Sequence, residues 1–326
     1  MLCDDSADHT FLIGRGITRA RICPQTCPRG QVPVYMSPAQ LVKILSLATT
    51  IFSRLPFSQF TSKSLTASYL NKKNAMSTKT ALSLTLLLAV ALPATALPAT
   101  ALNPDCAPGG NFDLSPWKLQ LPIGTQGNPT TISSSSLKGC SGYKNPSYFF
   151  TESGDGALVM KVPGSPASSG CVTTANSEHC RTELAETSSW DPKSSKNKLS
   201  VTLSVPKPDN SKYGTCIGQI HIDGSVSTKP VAELYYSTAG VLTMGVEKTR
   251  SGGNQVPNTV GNVPVGTKFS YTISYENNVL SVSINGKSST LSTYSLDAPK
   301  SYFKAGNYNQ GSDASDVHFF SISIEH

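Results

Sequence analysis

Arg181, Gln219, His221 and Tyr308 are residues whose types could together move protons beside an anion. An arginine is permanently charged and forked, which suits bidentate capture of a carboxylate. A glutamine amide can donate a further N–H to the same group. A neutral histidine is a base near pH 7, and a tyrosine phenol can protonate a departing oxygen. The set could therefore neutralise a carboxylate, remove the proton from the carbon next to it, and protonate the leaving group. Preorganised donors around developing charge contribute about 3 kcal/mol each. A positioned acid or base adds roughly 10²–10⁴-fold. Singly, each residue has an ordinary explanation: Arg181 with Glu183 as a cross-strand ion pair, Gln219 as a solvated strand residue, His221 as structural, Tyr308 as a packing aromatic.

Strands can hold these side chains, because alternate residues of a strand share a face. In R-T-E-L (Arg181–Leu184), Arg181 and Glu183 point one way and Thr182 and Leu184 the other. In T-C-I-G-Q-I-H-I (Thr215–Ile222), Gln219 and His221 oppose Ile220 and Ile222. In Y-F-K-A-G-N-Y-N-Q (Tyr302–Gln310), Tyr302, Lys304 and Tyr308 share a face, while Phe303 and Ala305 turn to a core. Three such strands could floor a polar groove laid over a sheet. Cys216 has the parity of Ile220 and Ile222, which predicts a buried thiol on the core side.

The three strings resemble, intact and in order, the signature motifs of the alginate lyases of polysaccharide lyase family 7: R-(S/T)-E-L, Q-(I/V)-H and Y-F-K-A-G-x-Y-N-Q. The stretch F-D-L-S-P-W-K-L-Q-L-P at Phe112–Pro122 is similar to the start of that family's domain. The resemblance implies an endo-acting lyase that cleaves alginate by β-elimination, leaving 4,5-unsaturated uronate ends and using no cofactor. It implies catalytic roles for Arg181, Gln219, His221 and Tyr308, with nearby cations lowering the Tyr308 pKa. Histidine would be the base for guluronate, and tyrosine both base and acid for mannuronate. Lys304, Glu183 and Tyr302 become substrate-binding candidates, Lys304 for a neighbouring uronate and Glu183 as a brace for Arg181 or a sugar hydroxyl. Ile220 occupies the position the family associates with guluronate-containing blocks. Another polyuronate such as glucuronan is the alternative substrate, and a non-catalytic carbohydrate-binding jelly roll the alternative class. Pure binding needs neither base nor phenol. A hydrolase needs two opposed carboxyls, and of Glu178, Glu183 and Glu186 only Glu183 shares the Arg181 face. His179 and His318 match no motif and read as structural or surface residues, and Trp117 and Trp190 as packing.

From Asn111 onward the chain reads as short alternating segments between turn residues. Strands are predicted at 147–151, 157–162, 181–186, 199–205, 216–222, 231–236, 241–246, 269–275, 279–284, 302–308 and 317–324. Asn285-Gly286 is a type I′ hairpin signal leading into 288–291. No apolar stripe lasts three helical turns, which excludes bundles and alternating α/β folds. The class is all-β, a two-sheet sandwich; the resemblance sharpens this to a β-jelly roll with a concave substrate groove. There is no P-loop, no dinucleotide fingerprint, no nucleophile elbow and no metal-ligand spacing. Aromatic residues are not interleaved with basic clusters, so no nucleic-acid partner is expected.

The chain has 27 basic and 20 acidic residues, a formal +7. Residues 1–101 hold ten Lys/Arg and three Asp, and residues 102–326 hold seventeen of each sign, so the excess lies wholly in the first part. Attraction of a polyanion must therefore be local. After Met76 and Lys79, the apolar run Ala81–Ala91 and the small-x-small sites Ala94-Thr95-Ala96 and Ala99-Thr100-Ala101 read as a signal peptide over 76–101. The run is short for a membrane span. A leader implies secretion, a catalytic domain at 102–326, no membrane partner and a monomer by default. Residues 1–75 are then an over-extended or disordered stretch, whose Cys23-x3-Cys27 lacks a second half for zinc. In an oxidising compartment Cys171 is expected to pair with Cys180, closing a loop just before Arg181, and Cys106 with Cys140. Five cysteines leave one odd, read as a free Cys216, with an intermolecular bridge as the alternative.

Overall fold

The computed structural model describes residues 101–326 and the backbone of two short paired strands, β1 (Phe11–Ile13) and β2 (Gly16–Thr18). The chain divides into two compact units, Met1–Val90 and Ala91–His326. The expected leader at 76–101, Ala101 excepted, and the rest of 1–75 lie outside the described residues. Among the described residues no helix is long and apolar enough to cross a membrane.

Fifteen strands of the second unit form two antiparallel sheets. In chain order they are β3 (Trp117–Thr125), β4 (Asn128–Ile132), β5 (Phe149–Thr151), β6 (Leu158–Val162), β7 (Arg181–Glu186), β8 (Lys198–Lys207), β9 (Thr215–Ile222), β10 (Pro230–Tyr236), β11 (Val241–Val246), β12 (Val256–Asn262), β13 (Phe269–Glu276), β14 (Val279–Ile284), β15 (Lys287–Leu291), β16 (Ser301–Tyr308) and β17 (Ser315–Glu325). One sheet runs β12-β11-β10-β9-β16-β7-β3-β4 and the other β15-β14-β13-β8-β17-β6-β5. The helices of this unit are single turns of four residues. The all-β two-sheet sandwich is as expected.

Each predicted strand forms, within two residues at either end. Three strands fall outside the prediction: β3, β4 and β12. Pro129 in β4 and Pro257 in β12 weaken a strand reading, because proline cannot donate to the ladder. Both strands lie at sheet edges, where that loss is tolerated. Asn285 and Gly286 adopt φ of 49° and 81°, the pair of positive values that a type I′ turn needs.

Between the sheets lies one apolar layer. Leu119 and Leu121 of β3, Leu184 of β7, Phe303 and Ala305 of β16, and Ile220 and Ile222 of β9 are fully buried. They belong to the same core as Leu199 and Leu203 of β8, Phe269 and Ile273 of β13, and Phe319 of β17. Burying each large side chain stabilises the fold by about 1.5–3 kcal/mol. The rings of Tyr236 and Phe269 stack across the gap at 5.5 Å. Polar ties also cross it: the Thr182 hydroxyl donates to the Lys161 carbonyl at 2.7 Å, and Asn307 Nδ2 to the Met160 carbonyl at 2.9 Å.

Strand β9 carries an irregularity that changes its parity. Gly218 pairs with Leu234 of β10 and Ala305 of β16, whereas Cys216 pairs with Tyr235 and Tyr308. Against β10, where Leu234 and Tyr235 are adjacent, Ile217 is the extra residue of a β-bulge. The Tyr271 hydroxyl, from the other sheet, donates to the Ile217 carbonyl at 2.8 Å. A Cβ on Gly218 would sit 2.5 Å from that hydroxyl oxygen, so glycine is required for the approach. Cys216 is free and buried as expected, but it lies on the Tyr308 side of the sheet and not with Ile220 and Ile222. Unbroken alternation does not survive one inserted residue. Cys106–Cys140 and Cys171–Cys180 are both disulfide-bonded.

Candidate active site

The three motif strands are neighbours in the sheet, with β16 between β7 and β9. Tyr302 faces His221, Lys304 faces Gln219, Gly306 faces Glu183 and Tyr308 faces Arg181 in register. Residues paired this way share a face. Arg181, Glu183, Gln219, His221, Tyr302, Lys304 and Tyr308 accordingly line one groove of ≈ 490 Å³, in the size range of small-molecule sites. A Cβ on Gly306 would lie 2.6 Å from the Glu183 Cα and from the Thr182 carbonyl oxygen. The absent side chain lets β16 and β7 meet this closely.

Glu183 is the hub of the floor, 2% exposed. Its Oε2 accepts from Arg181 Nη1 at 3.1 Å and from Lys304 Nζ at 3.0 Å, and its Oε1 accepts from Gln219 Nε2. Burial alone would raise its pKa, but Lys304 and Arg181 together hold it below the usual carboxylate value. Burial lowers the Lys304 pKa despite Glu183. Around Glu183 itself, two cations meet one anion. Gln219 spends one N–H on Glu183, and its other hydrogen remains for a ligand. Arg181 spends Nη1 on Glu183 and Nη2 on Ser177 Oγ at 3.1 Å, while its Nε has no protein partner.

His221 Nδ1 lies 2.9 Å from the Ile222 carbonyl oxygen. A carbonyl can only accept, so Nδ1 carries the proton and Nε2 keeps a free lone pair. Burial, and after it Lys304, lower the His221 pKa to about 3, so the ring is neutral at any physiological pH. An anionic ligand in the groove would raise it again. Tyr302 packs beside the ring at 5.1 Å.

The Arg181 guanidinium carbon sits 3.6 Å from the centre of the Tyr308 ring. The Tyr308 hydroxyl is 3.2 Å from Ser177 Oγ. Its pKa is raised, against the expectation that neighbouring cations hold it down. Burial outweighs Arg181, whose effect does run the expected way. The phenol therefore keeps its proton at neutral pH, as an acid must.

Other groove residues escaped the sequence reading. Lys118 and Gln120 of β3 line it beside β7, and W-K-L-Q-L already alternates there. Ser177 comes from the Cys171–Cys180 loop, where no periodicity exists to read. Glu233 of β10, in register with Gln219, and Glu247 also line the groove, where carboxylates look out of place for a polyanion site. His179, which matches no motif and reads as a structural or surface residue, lies edge to face with the Tyr308 ring, their centres 6.0 Å apart. Glu186 accepts from Trp190 Nε1 at 3.0 Å and from the Phe303 N–H at 3.0 Å, a bracing role.

A family model described as alginate lyase matches residues 112–326. The chain belongs to the alginate lyase family. An alginate lyase of Klebsiella pneumoniae is 29% identical to this family member over 270 residues, 63% of this chain and 84% of the relative. The crystal structure of a Pseudomonas aeruginosa alginate lyase superposes with a TM-score of 0.56 at 30% identity, covering 66% of this chain and 99% of that one. The family 7 alginate lyase A1-II′, as a Tyr→Phe variant in complex with product (GGG), gives a TM-score of 0.58 at 30% identity, over 68% of this chain and 99% of its own. The same lyase as a His→Asn, Tyr→Phe double variant, in complex with substrate (GGMG), gives 0.59 at 29% identity, over 68% and 97%. This alginate lyase is thus a polysaccharide lyase of family 7.

Proposed function

We propose that the chain is a secreted, endo-acting enzyme that cleaves alginate by β-elimination at the groove over β7, β16 and β9. The observation that carries this reading is the alignment in register of a carboxylate clamp, a His with a free Nε2 and a protonated phenol on one face. Arg181 and the second Gln219 N–H bind the uronate carboxylate and neutralise it, which acidifies the adjoining C5–H. His221 Nε2 takes that proton, the C4=C5 double bond forms, the C4–O4 bond breaks, and Tyr308 gives its proton to the departing O4. Lys304 adds positive potential under the bound chain, and Glu183 fixes Arg181, Lys304 and Gln219 relative to one another. Tyr302 braces the His221 ring. The relative in complex with substrate (GGMG) has a His and a Tyr replaced, the two residue types assigned here to base and acid. Two disulfides suit an oxidising compartment. No cofactor enters these steps, and the site is complete within one chain.

The test follows ultraviolet absorbance as protein from Leu102 onward meets alginate, with glucuronan and pectate in parallel. A rise in alginate alone, with viscosity falling well before the absorbance plateaus, is expected of endo-elimination. His221→Ala and Tyr308→Phe should each lose roughly 10²–10⁴-fold in kcat while still binding the polymer. Unchanged turnover in either variant removes the role given to that residue. Reducing ends without absorbance would mean hydrolysis.

A further inference from the structure

We propose that Ser177, held in the Cys171–Cys180 loop, is a positioning residue that turns the Tyr308 proton toward the substrate and donates to the phenolate left behind. This rests on the reading of Tyr308 as the acid.

A serine hydroxyl has two acceptor lone pairs and one proton. Arg181 Nη2–H donates to Ser177 Oγ at 3.1 Å, and the backbone N–H of His179 donates to it at 3.2 Å. Neither donor can reverse its role, so both lone pairs are occupied. Tyr308, 3.2 Å away, therefore cannot spend its own proton on Ser177. The contact runs the other way, with the Ser177 proton shared between the Tyr308 oxygen and the His179 carbonyl at 3.2 Å. Tyr308 keeps its O–H for the groove.

During elimination the Tyr308 O–H bond breaks as the O4–H bond forms, and the electron pair stays on the phenolate. The Ser177 proton never leaves its own oxygen but strengthens its hydrogen bond to that anion. Arg181, lying on the ring face, attracts the same charge. The loop is built to hold Ser177 still. Cys180 precedes Arg181 directly, Cys171 ties the other end, and the Thr173 hydroxyl donates to the Ser177 carbonyl at 2.6 Å. Burial raises the Tyr308 pKa, while Arg181 and Ser177 both act to lower it. The other charged or titratable groups facing the phenol are Glu233, Glu183, Lys304, His179 and Cys216.

The experiment compares wild type, Ser177→Ala, Ser177→Thr and Tyr308→Phe on alginate, with thermal melts as the folding control. Ser177→Ala should lose about 10-fold in kcat with KM unchanged, the size of one hydrogen bond to a charged group. The alkaline limb of its kcat–pH profile should move up by about one pH unit. Thr, which keeps the hydroxyl, should restore most of both. Tyrosinate absorbance, taken as the difference from Tyr308→Phe, should titrate correspondingly higher in Ser177→Ala than in wild type. A kcat loss with no shift in limb or titration, or no rescue by Thr, reduces Ser177 to a structural residue and overturns the inference. So does a Ser177→Ala enzyme with an unaltered profile. Full activity in Tyr308→Phe is a separate result that removes the acid itself.

Discussion

His221 illustrates how environment redefines a residue. In the unfolded chain its imidazole titrates near the usual 6.5, and in the fold burial and Lys304 bring it to about 3. Between those values the unfolded state binds a proton that the native state refuses, so stability must fall as pH falls. The slope reaches about 1.4 kcal/mol per pH unit, and above pH ~6.5 the contribution vanishes. Wild type should therefore lose melting temperature faster than His221→Asn between pH 6.5 and 4. Equal slopes would mean that the folded ring protonates normally. The residue types at 181, 219, 221 and 308 were legible in the sequence because motif and parity agreed. The direction of the Tyr308 pKa was not, since burial is a sum over groups from several distant segments.

At the scale of elements, the decisive contact is the close approach of β16 to β7 at Gly306. Any Cβ there meets backbone at 2.6 Å, which a rotamer change cannot relieve. Gly306→Ala should cost about 1–3 kcal/mol in stability. It should also lower kcat, because strand separation shifts Tyr308 relative to Arg181. Differential melting and steady-state kinetics check both; an unperturbed variant would mean the strands can part freely. The bulge at Ile217 teaches a related lesson. Alternation predicted most faces correctly, and one extra residue, satisfied by Tyr271 from the other sheet, moved Cys216 to the groove side.

Across the molecule, the second sheet supports the groove without entering it. Phe319 of β17 is fully buried, and paired in register with Leu158 and Leu203. Phe319→Ala should cost about 3–5 kcal/mol. Its kcat, measured well below the melting transition, should stay near wild type; a large kcat loss would show that the two sheets are mechanically coupled. The all-β class, most of the strands, both disulfides and the three strings that carry the chemistry are legible in the amino-acid order alone. These are local quantities, written in period-two alternation, turn residues and short motifs. That β16 lies between β7 and β9, that Glu183 gathers Arg181, Lys304 and Gln219, and that Ser177 reaches Tyr308 emerges only on folding. Strand order and loop placement arise from packing between residues from tens to more than a hundred positions apart, and no window of sequence contains that information.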